Sequence, residues 1–121
     1  MCRSEQKADR GYVTAEAAMV IPALVLFAAL LVWALMAAAA QIRCVDAARA
    51  GARAAAASEP AEVAVAAARS AAPPGAVVEL ARTGDLWRVR VSAPAPGPRA
   101  LPVRLGARAV ALAEDSVGPP P

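Results

Sequence analysis

Gly11-Tyr12-Val13-Thr14-Ala15-Glu16 runs directly into an uncharged apolar stretch from Ala17 to Ala40. Glu16 is a carboxylate at the mouth of that stretch, and an ionised acid at membrane depth costs about 2.5–3.5 kcal/mol on insertion scales. Its chemistry would be charge pairing: a buried or half-buried carboxylate in a low-dielectric setting needs a cation beside it. Glu16 is therefore expected to be a functional residue with a partner. The alternative is a place at headgroup level, where the acid is merely tolerated.

Other chemistry has little to build on. Histidine is absent, the two cysteines are far apart, and neither paired carboxylates nor a glycine-rich phosphate loop after a strand can be found. No catalytic residues, metal ligands or cofactor are expected. The net charge is +3, from 13 basic and 10 acidic residues spread along 121 positions. No basic block marks nucleic-acid binding, and no small-molecule substrate is indicated. Hydrophobic residues make up 59% of the chain, dominated by alanine, with one Phe, one Tyr and two Trp. That allows one small, thinly packed domain besides the apolar stretch.

The elements that would position Glu16 follow from periodicity. Residues 1–10 are short and polar and read as a leader. Residues 17–40 suit one bilayer-spanning helix, about 36 Å long at 1.5 Å per residue. Pro22 removes a backbone donor and should kink or loosen that helix near Ala18. Cys2 and Cys44 would then face opposite sides of the membrane, which excludes a disulfide between them.

Gln41 to Ala57 continues as helix, rich in Ala and Arg and with Gly51 its one breaker. Arg49 and Arg53 share one face. Cys44, Ala47, Ala48, Gly51 and Ala55 line another, where small side chains permit close helix–helix packing, although alanine richness also raises helix propensity without any partner. Ser58-Glu59-Pro60 stops this helix and starts a second, about 60–72, with Ser58 or Glu59 as cap; Pro73-Pro74-Gly75 ends it.

Beyond Gly75 the period becomes two. Val77–Arg82 and Leu86–Val91 form a predicted hairpin around Gly84-Asp85, pairing Leu80 with Val89, Val78 with Val91 and Glu79 with Arg90 as an ion pair. Residues 93–102 read as a proline-rich loop and Val103 to Ala113 as a third strand, with Gly106 marking a bulge. Residues 114–121 are expected to be disordered. The fold class is thus α+β: a long N-terminal transmembrane helix reaching into a small part with a short helix and a three-stranded antiparallel sheet. Its expected divisions are 1–11, 12–57, 58–113 and 114–121.

With Tyr12 as a new N-terminus, Glu16 is the fifth residue, and here the chain resembles the type IV pilin family. Within it, the chain is similar to TadE-like minor pilins or pseudopilins of tight-adherence pilus systems, in an alanine- and arginine-rich actinobacterial form. The resemblance rests on Gly11, Thr14, Ala15, Glu16, Pro22 and Leu24, then on Gln41-Ile42-Arg43-Cys44-Val45-Asp46-Ala47-Ala48-Arg49. It implies cleavage after Gly11 by a membrane prepilin peptidase, where a glycine lets the backbone enter a tight site. The freed amine of Tyr12 would be neutralised by Glu16 of a neighbouring subunit. The implied partners are the membrane, other pilin or pseudopilin subunits and the Tad assembly machinery. Major pilins of such systems resemble very short chains with Glu-Tyr at the fifth and sixth mature positions. Here Ala17 follows Glu16 and a C-terminal domain is present, which favours a minor pilin.

Arg3, Lys7 and Arg10 precede the apolar run while Arg43, Arg49 and Arg53 follow it, so loop charge leaves orientation open. The resemblance implies a cytoplasmic N-terminus, with residues 41–121 outside. Two rivals remain. One is an exported protein cut after Ala38-Ala39-Ala40, against which stand Glu16 and an apolar run longer than the ~7–15 residues of a signal core. The other is an unprocessed single-pass subunit of a different complex.

Overall fold

The computed structural model describes residues 2–97 and 103–116, with side chains described for 10–97 and 103–115. The side chain of Cys2, the centre of the proline-rich loop and the end of the expected disordered tail lie outside the described residues. The chain divides into two compact units, Met1–Leu35 and Met36–Pro121.

The first unit is helix alone. Helix α1, Cys2–Ala56, includes the expected leader, so residues 2–10 are helical as well, and it continues through Pro22 without an interruption of helical structure. It is the one helix among the described residues that is long and apolar enough to cross a membrane. From Met19 to Met36 its large apolar side chains, Trp33 excepted, are 52–80% exposed.

The second unit contains the end of α1, a second helix α2 (Ala61–Ala71) and strands β1 (Val77–Thr83), β2 (Leu86–Pro94) and β3 (Arg104–Leu112), followed by a 3-10 turn at Glu114–Ser116. The sheet is antiparallel in the order β1-β2-β3. The hairpin has the expected register, Val78↔Val91, Glu79↔Arg90 and Leu80↔Val89. Gly84 has φ +61° while Asp85 stays at negative φ, as a type II′ turn requires.

Several local expectations are corrected. Neither Ser58 nor Glu59 caps α2; Pro60 occupies the cap position, with no side-chain cap bond. Ser58 instead closes α1, at φ +60°. Its N–H donates to Ala55 O at 3.2 Å and that of Glu59 to Ala54 O at 3.3 Å, the two bonds of a Schellman motif in which glycine is the usual occupant. Gly106 makes no bulge, since β2–β3 pairing runs unbroken through Ser92↔Gly106. Strand β2 also runs further than expected, to Pro94, and Ala95 N–H donates to Val103 O at 2.8 Å.

The core lies between α1 and the sheet. Val89, Val91 and Ala93 alternate inward along β2 and meet Cys44, Ala47, Ala48 and Ala52. A strand buries every second residue, and a helix buries those three and four apart, which is the pattern seen on each side. Helix α2 buries Ala64 and Ala68. Val89, Val91 and Cys44 are the largest fully buried side chains, so the interface is thin and tolerates only small groups on the helix side.

Candidate functional site

The Gly11–Glu16 segment lies on the first unit's helix. A Cβ added at Gly11 would meet nothing within 4 Å, so packing does not demand glycine there. Glycine inside a helix costs about 1 kcal/mol relative to alanine, and this position therefore carries a cost that the fold does not explain. Tyr12 beside it is 73% exposed. Thr14 Oγ1 donates to Arg10 O at 2.9 Å, a one-turn bond that holds the hydroxyl against the helix and away from neighbours. Glu16 is exposed and makes no ion pair among the described residues. Its carboxylate stands inside α1, at the start of the exposed apolar stretch, with no charged partner among the described residues.

The small-residue face lies in the second unit, and there the occupant is the chain itself. Cys44 and Ala47 are fully buried and Ala48 almost so. At Gly51 an added Cβ would stand 3.1 Å from both Ala68 Cβ and Val89 Cγ1 and 3.5 Å from Ala64 O. Gly51 is thus where α1, α2 and β2 converge, and its hydrogen lets two helices approach at backbone distance. Cys44 is a free, buried thiol.

Two side chains, Gln41 and Arg82, make contacts that spacing along the chain does not announce. Gln41, the first polar residue after the apolar run, donates through Nε2 to Gly106 O at 2.9 Å, joining the helix to β3. Arg82 lies over the Trp87 ring, 5.4 Å from its centroid, and pairs with Asp115 at 3.3 Å. Its Nε also donates to Gly84 O at 3.0 Å. Glu79 faces Arg90 in register, yet the ion pair present among the described residues is Arg82–Asp115. The alternation of strand residues could flag Arg82 opposite Trp87; nothing local could point to Asp115, 33 positions away.

Among the described residues no cluster of three or more His, Cys, Asp or Glu side chains forms. An open groove beside α2, lined by Val65, Ala66, Leu80 and Trp87, has Glu62 and Arg69 as its charged residues. That lining suits packing more than chemistry.

The pairing of an exposed acid with an apolar helix, and of that helix with a small-residue continuation, coincides with a known family. Residues 11–53 match the model of the TadE-like protein family. The helical segment from Gly11 to Arg53 is TadE-like. No curated protein and no solved structure matches the chain. The TadE-like segment holds Gly11, Glu16 and the small face, and ends before α2 and the sheet begin. A single apolar helix of this length fits a single-pass membrane protein.

Proposed function

We propose that this TadE-like chain is a membrane-anchored minor pilin or pseudopilin that a prepilin peptidase cuts after Gly11 and that takes part in assembling a Tad-type pilus. The observation that carries the reading is Gly11 itself: a glycine in a helix, with open space around it, at the first position of the TadE-like match. A peptidase that must grip extended backbone gives that glycine a reason. Cleavage would leave an α-amine on Tyr12, four residues from Glu16. In the low-dielectric interior of an assembly, the Glu16 carboxylate of one subunit neutralises the Tyr12 amine of the next. The N-terminus is then cytoplasmic and residues 41–121 lie outside the membrane.

N-terminal sequencing of the mature protein tests this. Tyr12 is expected in cells that express the cognate peptidase, and an intact leader there would overturn the cleavage. Glu16→Ala should insert into membranes at least as well as the parent, because a costly charge is gone, yet fail to join the assembly. Normal assembly would remove the pairing mechanism.

A second reading, export with cleavage after Ala40, draws on one observation: Cys44 to Ala55, with the sheet, all lie in the second unit and would survive such a cut. It predicts Gln41 as the new N-terminus. Against it, the TadE-like match runs across Ala40 as one segment.

A further inference from the structure

The sheet has a second face, opposite the one that α1 covers. Side chains alternate along a strand, so Arg88 and Arg90 of β2 lie opposite in sense to buried Val89 and Val91. The register aligns Arg90 with Arg108 of β3 and places Arg104, opposite Pro94, four residue pairs further on; Arg88, Arg90, Arg104 and Arg108 are all exposed. Like charges directly opposite each other across two strands destabilise a sheet. Glu79, on the far side of Arg90, is the carboxylate available on this face, and it stands against four guanidiniums. None of the four is in an ion pair among the described residues. Arg104 Nη2 donates to Ser92 Oγ at 3.4 Å, which draws its fork toward the others across Gly106. Val110, paired with Arg88, and Leu112 are more than half exposed on the same face.

We propose that this face, centred on Arg88, Arg90 and Arg108, is a docking surface for an acidic face of a protein partner. Guanidinium forks fit carboxylates two bonds at a time, and interfaces between proteins are enriched in arginine around apolar contacts such as Val110 and Leu112 offer. The arginines are held on a rigid strand grid with Glu79 among them. A partner with fixed carboxylates and one cation complements that pattern, whereas a uniformly anionic lipid surface would repel Glu79. Docking would also relieve the Arg90–Arg108 repulsion. The surface lies beyond the TadE-like match and does not depend on whether the leader is cut.

The test uses the full chain in zwitterionic lipid nanodiscs and a fluorescently labelled poly-glutamate peptide as probe, read by anisotropy. Arg90→Gln with Arg108→Gln should weaken binding by about tenfold or more, while thermal stability holds or rises because a repulsion is gone. Arg43→Gln with Arg69→Gln removes the same charge elsewhere and should change affinity by no more than about twofold. Glu79→Gln should tighten binding. Absence of binding, or equal losses in the two double variants, overturns the proposal. So does added hydrogen-exchange protection of β2 and β3 in phosphatidylglycerol nanodiscs, which would assign the face to lipid. Self-association abolished by Arg90→Gln with Arg108→Gln would assign it to a second copy and equally overturn the proposal.

Discussion

Two stretches of the same helix invert the usual relation between size and burial. From Met19 to Met36 the large apolar side chains, Trp33 excepted, are 52–80% exposed; from Cys44 to Ala55 the buried positions are alanine, glycine and cysteine, with Cys44 and the alanines at no more than 4% exposure. Exposed apolar area costs roughly 25 cal/mol per Å2 in water, so the first stretch calls for an apolar surrounding that the described residues do not supply. The second has its cover in β2 and α2. Hydrophobicity alone would have ranked the first stretch as core. The difference teaches that along α1 small side chains mark where the helix packs on its own chain, and large ones where it is left uncovered.

The largest effect should come from placing a charge in the first stretch. Leu30→Arg is expected to cost about 2.5–3.5 kcal/mol of membrane insertion, and carbonate extraction should show the protein leaving the membrane fraction. If Leu30→Arg instead left membrane association intact, the lipid-facing role of that stretch would fail. The complementary change is Ala48→Leu, adding bulk to the covered stretch. Overpacking should destabilise the sheet-bearing unit by about 1–3 kcal/mol, seen as a lower unfolding midpoint in detergent with insertion unchanged. A variant that unfolded no earlier would show the interface to be looser than the 3.1 Å contacts at Gly51 indicate.

Smaller effects sharpen where the covered stretch ends. Ser58→Gly removes the left-handed strain of a residue with a side chain and should stabilise by about 0.5–1 kcal/mol in thermal unfolding. A loss of stability would mean that Ser58 is held by something besides its backbone bonds. The smallest change is expected for Asp115→Ala: Arg82 and Asp115 are 40% and 51% exposed, and such surface pairs contribute about 0–1 kcal/mol, less at high salt. Denaturant midpoints at low and high salt would check it, and a cost well above that range would make the hairpin clasp a structural anchor.

Local rules made part of this legible. Gly84-Asp85 between two alternating runs specified a two-residue turn, and the turn specified every pair of the hairpin, because a slip of one residue would expose Val89 and Val91. Positions 44, 47, 48, 51 and 55 could be read as one face from helical spacing. Other features resisted. Ser58 carries a capping side chain, yet it serves through its backbone, since ending α1 at that point left no glycine for the left-handed position. Gly106 suggested a bulge, but its backbone is regular and its carbonyl is used by Gln41.

For the candidate site the division is similar. Gly11 and Glu16 could be singled out from the sequence, because a glycine and an acid beside a long apolar run are costly whatever the fold. That no packing accounts for Gly11 could be seen only with the space around it known.

By itself, then, the sequence determined the apolar helix, the acid at its mouth, the hairpin register and the small face, all of which follow from spacing along the chain. The tertiary structure alone decided what covers that small face, which arginine finds a carboxylate, and that Arg90 and Arg108 stand opposite each other with no ion pair among the described residues. Those outcomes depend on residues far apart in the chain meeting at distances of a few ångströms, and no local periodicity encodes which of several possible neighbours will be there.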